Sequence, residues 1–215
     1  MTRPEDDGQR ANPRFAESYM RVSAKAEARG VTAHRRLLLQ ELAGSVCEVG
    51  AGHGLNFAHY PATVSRVIAI EPEPTLRACA VQLAASAPVS VEVVDGLAAA
   101  IPLGDGQCDA VVLSLVLCSV PDLRAALAEV RRVLRSGGEL RFYEHVRSKH
   151  WVIGVAEDVS SPLWSRLAGG CHLNRDTVDE IAQAGFDVVE VDRFGFSPQR
   201  GLPATAHVLG RASRL

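Results

Sequence analysis

The chain has 215 residues, with 23 Lys and Arg against 25 Asp and Glu, and a formal net charge of −2. This near balance, together with 5% aromatic residues, excludes a protein that coats nucleic acid, because that role needs concentrated positive charge and stacking rings. A hydrophobic fraction of 47% beside 22% charged residues is typical of a globular domain with a full core.

The N-terminal residues 1–13 are polar and predict a flexible tail, and residues 14–215 predict a single domain. Residues 14–42, rich in Ala, Arg, Glu and Leu, predict two helices that meet near Gly30. Short apolar segments then predict five strands, at 45–50, 66–70, 89–94, 110–116 and 139–146. Helices are predicted at 75–87 and 123–134, the second ending at Gly137-Gly138.

The C-terminal part of the chain differs from the middle. We predict a helical insert between residues 147 and 174, and then two strands, at 186–193 and 205–211, that pair antiparallel at one edge. Strands that alternate with helices favour a parallel sheet covered on both faces. The fold class is therefore α/β: a Rossmann-like, doubly wound, mostly parallel seven-stranded sheet with an antiparallel edge strand, N-terminal helices and a helical insert after the fifth strand.

Compartment and cysteine chemistry follow from simple counts. The longest nearly apolar run, residues 110–120, is shorter than the roughly 20 residues of a membrane span, and residues 1–10 lack the apolar segment of a secretion signal. The five cysteines are scattered and odd in number, which indicates reduced thiols. We predict a cytoplasmic protein without a membrane span.

A glycine loop follows the first predicted strand, in Glu48-Val-Gly-Ala-Gly-His-Gly54. Three alternating glycines let the backbone turn tightly and approach a ligand without Cβ atoms in the way. A tight turn whose glycines serve only packing would have the same sequence pattern. Glu71 comes directly after the second strand and Asp95 directly after the third, so acids follow successive strands. Either acid alone is compatible with a solvated loop, but together with Glu48 they indicate a ligand site.

The charge around this loop bears on the ligand. Dinucleotide sites favour Gly-x-Gly-x-x-Gly, whereas here Leu55 follows Gly54, and no lysine stands in the loop. Acids disfavour a phosphate-bearing ligand and favour a neutral or cationic nucleoside. S-adenosylmethionine fits, with its adenosine, sulfonium cation and amino-acid tail. A carboxylate such as Glu71 can accept hydrogen bonds from both ribose hydroxyls.

These motifs, with Asp95-Gly-Leu-Ala98, the segment 108–121 and Gly137-Gly-Glu-Leu140, resemble the class I S-adenosylmethionine-dependent methyltransferases over roughly residues 14–213. Within that superfamily the chain is similar to the ubiquinone/menaquinone-biosynthesis-like enzymes, and most of all to the branch of animal methyltransferase-like thiol methyltransferases. Residues 54–57, 115–120, 144–146 and 170–175 carry this likeness. Those animal enzymes have a membrane-anchoring apolar segment, which is not found here, so membrane attachment is not carried over.

The resemblance implies a set of cofactor-binding residues. The glycine loop would lie against the methionine part, Glu71 would hold the ribose, Asp95 would bond the adenine amine, and Tyr19 would help the N-terminal helix close over the cofactor. The complete predicted set is Tyr19, Glu48, Gly50, Ala51, Gly52, Gly54, Asn56, Glu71, Pro72, Asp95, Gly96, Leu97, Ser114 and Leu115.

The predicted catalytic residues are Glu144 and His145, at the end of the fifth strand. An imidazole suits proton removal at neutral pH, although a hydrogen bond from His145 to a loop is an equally good interpretation. Because side chains alternate along a strand, only one of Glu144 and His145 is expected to face the acceptor. Cys118 is predicted to be a packed core thiol. Cys171 and His172, with His145 and His150 upstream, match no metal-ligand spacing, so no metal site is predicted.

The leading hypothesis is a methyltransferase that acts on a small, apolar acceptor, with a thiol as first choice and oxygen, nitrogen or ring carbon as alternatives. A nicotinamide-dependent oxidoreductase and a non-catalytic cofactor-binding subunit are the other functions considered. The expected product is S-adenosylhomocysteine, nucleic acid is not an expected partner, and the chain is predicted to be a monomer or a homodimer.

Overall fold

The computed structural model describes residues 12–167, 170–198, 201 and 204–215. The helices are α1 (Pro13–Glu27), α2 (Val31–Leu39), α3 (Pro74–Ala84), α4 (Leu123–Val133), α5 (Trp151–Leu167) and α6 (Thr177–Gln183), with one 3-10 turn at Phe57–His59. The strands are β1 (Gly44–Val49), β2 (Val64–Ile70), β3 (Val91–Val94), β4 (Cys108–Ser114), β5 (Leu134–His145), β6 (Phe186–Phe196) and β7 (Thr205–Arg214).

The two N-terminal helices begin and end where local chemistry favours it. Asn12 caps α1 by accepting a hydrogen bond from the amide of Phe15, and Pro13 fills the first helical position, where an amide hydrogen is not needed. Gly30 separates α1 from α2 with a φ of 115°. The predicted helix pair is confirmed. Of the predicted tail, residues 1–11 lie outside the described residues and residues 12 and 13 start α1.

The strands form one seven-stranded sheet in the order β3-β2-β1-β4-β5-β7-β6. Neighbours from β3 to β5 pair in parallel, and β7 pairs antiparallel with both β5 and β6. The predicted fold class is confirmed, with β7 as the antiparallel strand and β6 outside it at the edge. Because the chain order reverses between β1 and β4, a crevice opens at the carboxyl ends of these two strands.

The boundary between α4 and β5 differs from the prediction. Helix α4 ends at Val133, and Leu134 already pairs with Cys108 as the first residue of β5. Gly137 and Gly138 therefore do not end the helix; they lie in an irregularity of β5, where the register jumps before Glu139 pairs with Ala110. Helix α6 was not predicted, because a seven-residue segment carries little periodic signal.

The sheet buries apolar side chains on both faces. Along β4, Val111 and Leu113 pack into one core cluster, and Ala110 and Val112 pack into the other. Helix α4 covers the first face and α2 the second, which is the two-sided burial expected of a parallel sheet. Among the described residues, no helix has both the length and the hydropathy needed to cross a membrane.

Candidate functional site

The glycine loop lies at the crevice between β1 and β4. Gly50, Gly52 and Gly54 all have positive φ, at 68°, 59° and 89°. A Cβ atom on Gly50 would stand 2.6 Å from Cγ2 of Val116, which follows β4. Glycine is therefore required at this position both by its backbone conformation and by the close approach of the segment after β4.

The end of β2 holds the loop in place. The amides of Gly50 and Ala51 donate to the carbonyl of Ile70, at 2.8 and 3.0 Å. The amide of Gly52 donates to Oε2 of Glu71 at 2.7 Å, and Oε1 of Glu71 accepts from the amide of Glu73 at 2.9 Å. Burial raises the pKa of the Glu71 carboxyl, whereas these two hydrogen bonds lower it by a smaller amount. The predicted ribose carboxylate and the predicted glycine loop thus meet.

Glu48 and Asn56 support the loop from inside the protein. Glu48 accepts from Nδ2 of Asn56 at 2.8 Å and from the hydroxyl of Tyr60 at 2.7 Å, and burial raises the pKa of Glu48 to about 7. The guanidinium of Arg35 donates to Oδ1 of Asn56 at 2.9 Å and pairs with Glu27 at 2.8 Å. This chain of bonds joins α1, α2 and the loop, so both predicted residues organise the site.

Tyr19 reaches the glycine loop from α1. A Cβ atom on Gly52 would lie 3.2 Å from the Tyr19 ring, and the ring of His53 meets Tyr19 edge-on at a centroid distance of 5.7 Å. Burial raises the pKa of the Tyr19 hydroxyl, with Arg35 acting in the opposite direction. Tyr19 therefore places the N-terminal helix α1 over the glycine loop.

The loop after β3 forms another wall of the crevice. Gly96 and Leu97 are buried, and a Cβ atom on Gly96 would stand 2.8 Å from Cδ of Pro102. Asp95 remains half exposed and pairs with Nη1 of Arg77 at 3.2 Å. The same Nη1 donates to the carbonyls of Glu71 and Pro72, so Arg77 ties the ends of β2 and β3 together.

A non-glycine residue with left-handed backbone follows directly after β4. Leu115 has a φ of 61°, and its amide donates to the carbonyl of Tyr143 at 2.7 Å. A leucine in this conformation costs about 1–2 kcal/mol, and such strain clusters at functional sites. The preceding Ser114 has its hydroxyl 3.5 Å from Nη1 of Arg35. Ser114 and Leu115 thus lie beside the crevice, where they were predicted.

Glu144 binds the segment that follows β4. Its buried carboxylate accepts from the amides of Val116, Leu117 and Cys118, at 2.9, 3.0 and 3.2 Å. Burial raises the pKa of Glu144 to about 7, against the three bonds. On the other side, Arg175 donates to the carbonyls of Leu117 and Val120. The segment is thereby held from both sides.

His145 faces the opposite way from Glu144, as alternation along a strand requires, and remains partly exposed. Its Nδ1 lies 3.5 Å from Sγ of Cys171 and 3.9 Å from Sγ of Cys118. A hydrogen bond from Cys118 lowers the pKa of the Cys171 thiol, and His145 adds to that effect. The ring of His207 lies 4.2 Å from that of His145, and burial lowers the pKa of His207 to about 3.

Comparison with known proteins assigns the family. The methyltransferase-domain family matches residues 47–142. The human thiol S-methyltransferase TMT1B is 36% identical over 173 residues, covering 78% of this chain and 70% of TMT1B. Human thiol S-methyltransferase TMT1A is 35% identical over 167 residues, covering 71% and 66%. The chain belongs to the class I S-adenosylmethionine-dependent methyltransferases. Within them it falls in the branch of these thiol methyltransferases.

The fold of this methyltransferase is shared with many solved structures. An S-adenosylmethionine-dependent methyltransferase from Thermotoga maritima superposes with a TM-score of 0.71 at 21% identity, covering 94% of this chain and 97% of that one. The cyclase SpnF gives a TM-score of 0.68 at 18% identity, covering 86% and 80%. At these identities the likeness concerns the fold, which hosts more than one chemistry.

Several residues of the candidate site were not among the predicted cofactor-binding and catalytic residues. Arg35 and Arg77 connect predicted residues that are far apart in the chain, Arg175 holds the segment after β4, and Cys171 meets His145. A buried arginine has no local sequence mark that separates it from an exposed one. A usable signal did exist for Cys118 and His145, because residues that follow neighbouring parallel strands meet at one edge of the sheet.

Proposed function

We propose that this methyltransferase transfers the methyl group of S-adenosylmethionine to the thiol of a small, apolar acceptor and releases S-adenosylhomocysteine. The observation that carries the proposal is the 36% identity with the human thiol S-methyltransferase TMT1B over 173 residues. The acceptor is assigned by that relationship, and oxygen, nitrogen and ring-carbon acceptors are the alternatives that an assay separates.

We propose that the cofactor lies in the crevice at the carboxyl ends of β1, β2 and β4. The methionine part would follow the loop from Gly50 to Gly54, and the ribose hydroxyls would donate to the Glu71 carboxylate, which already faces Gly52. The adenine would lie against Pro72 and Leu97 with its amine toward Asp95. The carbonyls of Ser114 and Leu115 would accept from the methionine amine.

The chemistry asked of the protein is mainly positioning. Methyl transfer from a sulfonium is an in-line displacement, and holding the attacking sulfur, the methyl carbon and the leaving sulfur in line contributes about 7–11 kcal/mol in favourable cases. The rigid contacts of Glu71, Glu48 and Leu115 supply such a frame. The acids Glu48 and Glu71 also make the crevice favourable for a cation.

A thiol acceptor reacts as the thiolate, so its proton has to leave. Of the two predicted catalytic residues, we propose that His145 faces the acceptor, because it is partly exposed at the edge of the sheet. Glu144 is fully buried and bound by three amides, so we propose that it acts through the segment that it holds. A positioned base contributes about 10²–10⁴-fold.

Thermal unfolding with nucleotide ligands tests the cofactor. S-adenosylhomocysteine at 100 times its Kd should stabilise the protein by about 2.7 kcal/mol, and NAD at the same concentration should leave it unchanged. Stabilisation by NAD alone would support an oxidoreductase and refute the proposal. Labelled S-adenosylmethionine with matched thiol, alcohol and amine acceptors tests the chemistry, since binding without transfer to any of them would indicate a non-catalytic subunit.

We also propose a reducing compartment, the cytoplasm, and a monomer or homodimer. All five cysteines are free thiols, which supports such a compartment. Fractionation of the native cells, and light scattering coupled to size exclusion, test these two statements.

A further inference from the structure

Three metal-ligating side chains converge beside the crevice, outside the predicted cofactor contacts. Cys118 follows β4, His145 ends β5, and Cys171 follows α5. Their ligand atoms all lie within 4.8 Å of one another. Cys118 lies two residues beyond Val116, whose side chain closes against Gly50 of the glycine loop. The cluster therefore borders the place proposed for methyl transfer.

The nitrogen–sulfur distances in the cluster are close to those around a tetrahedral zinc ion. With Zn–S bonds of about 2.3 Å and Zn–N bonds of about 2.0–2.1 Å, tetrahedral angles place a sulfur and a nitrogen ligand about 3.5–3.6 Å apart. The Nδ1 of His145 lies 3.5 Å from Sγ of Cys171 and 3.9 Å from Sγ of Cys118. A shift of a few tenths of an ångström at Cys118 would bring both nitrogen–sulfur distances to this value, and the two sulfur atoms lie within 4.8 Å of each other.

The backbone around each ligand is held in place. The amide of Cys118 donates to Glu144 at 3.2 Å, and the carbonyl of Cys118 accepts from the amide of His172 at 2.7 Å. The hydroxyl of Thr177 lies 3.5 Å from the carbonyl of His145. Such preorganisation reduces the entropy that a metal ion has to overcome on binding three side chains.

We propose that Cys118, His145 and Cys171 bind one Zn²⁺ ion whose fourth position takes the thiol of the methyl acceptor. Three protein ligands with an open position are the pattern of catalytic rather than structural zinc, and soft thiolate ligands favour this metal. The inference rests on the proposed thiol acceptor and adds the means by which that thiol is ionised, since zinc-bound thiols lose their proton.

The step balances without an oxidant or reductant. The acceptor R–SH binds zinc as the thiolate, and its proton passes to solvent. The thiolate sulfur then attacks the methyl carbon, so that a new S–CH₃ bond forms and the sulfonium C–S bond breaks, with its electron pair staying on the sulfur of S-adenosylhomocysteine. The product R–S–CH₃ is neutral and a weaker ligand, so it leaves the metal.

In this arrangement His145 binds zinc through Nδ1 and is a ligand rather than the proton acceptor proposed above. The two roles are separable, because a ligand role predicts metal binding that is lost on substitution, whereas a base role predicts a pH profile without any metal dependence.

Co²⁺ and Zn²⁺ binding to the reduced full-length chain test the inference. We expect one equivalent of Co²⁺ with thiolate-to-metal charge-transfer absorption. Zn²⁺ should displace it. Cys118→Ser and Cys171→Ser should weaken Zn²⁺ binding at least about 100-fold, the upper end of the loss seen when a residue that only hydrogen-bonds to a metal ligand is replaced. Cys79→Ser is the matched control, because Cys79 lies in α3 beside Met20, and it should bind like the wild type. Absence of the absorption from the reduced wild type, or equal Zn²⁺ affinity in all variants, would overturn the inference.

Chelation separates this inference from the proposed function. Dialysis against a chelator should lower thiol methylation at least tenfold, one equivalent of Zn²⁺ should restore it, and binding of S-adenosylhomocysteine should not change. Thiol methylation that persists without metal would leave the function intact and refute the zinc site. A disulfide between Cys118 and Cys171 in the purified protein, with no metal bound after reduction, would also refute it.

Discussion

Replacing Glu71 by glutamine separates charge from shape at the centre of the proposed cofactor site. The Glu71 carboxylate accepts from the amide of Gly52 on one oxygen and from the amide of Glu73 on the other. Glutamine has one carbonyl oxygen, so it keeps one of these bonds and turns an amino group toward the second amide. The variant therefore loses at least one hydrogen bond to a charged acceptor without leaving a cavity.

A hydrogen bond to a charged group contributes about 1.5–3 kcal/mol. The loss displaces Gly52 from the position in which it would meet the cofactor, and it weakens the acceptor of the ribose hydroxyls. At about 1.4 kcal/mol per tenfold change, the Kd for S-adenosylhomocysteine should rise about 10–100-fold in Glu71→Gln.

Isothermal titration with S-adenosylhomocysteine measures this change. Glu92→Gln is the control, because it removes the same charge from an exposed position on β3 and should bind within about twofold of the wild type. Circular dichroism shows whether Glu71→Gln is folded. A folded Glu71→Gln variant with an unchanged Kd would refute the assignment of this carboxylate to the ribose.

Three further predictions concern the residues that hold the site together. Burial raises the pKa of Glu48 from 4.5 to about 7, so the contribution of Glu48 to the free energy of unfolding is fully present below pH 4.5 and falls by about 3 kcal/mol as the pH rises to 7. Urea unfolding should show this decline in the wild type but not in Glu48→Gln, and identical pH profiles of the two proteins would contradict the prediction. Arg35→Met breaks the buried ion pair with Glu27 and should lower the free energy of unfolding by about 3 kcal/mol. The control Arg36→Met, at an exposed position of the same helix, should change the free energy of unfolding by less than about 0.5 kcal/mol. Equal losses in the two variants would show that the ion pair contributes nothing. Tyr19→Ala uncovers the glycine loop and should speed the dissociation of S-adenosylhomocysteine about tenfold, measured by stopped flow. Tyr19→Phe keeps the ring, and its dissociation rate should stay within about twofold of the wild type. Similar rates for the two variants would show that the ring does not cover the cofactor.

Much of the fold follows from local pattern. The alternation of short apolar segments with helical ones predicted the seven strands in chain order, and the glycines after β1 marked the edge of the sheet at which we propose that the cofactor binds. The predicted boundary between α4 and β5 was wrong because two successive glycines, here Gly137 and Gly138, are typical of a helix end. Pairing of Leu134 with Cys108 starts the strand earlier, and this pairing depends on residues 26 positions apart.

The sequence by itself determined which residues stand at strand ends, because a strand, its glycine turn and the acid that follows are set by neighbours in the chain. It thereby determined the position of the glycine loop and of the acids around it. Only the tertiary structure decided that Arg35 bridges two helices to Asn56, that Glu144 lies under the segment after β4, and that Cys171 meets His145. These contacts join residues between 21 and 28 positions apart, and their formation depends on how helices and strands pack, which no local pattern encodes.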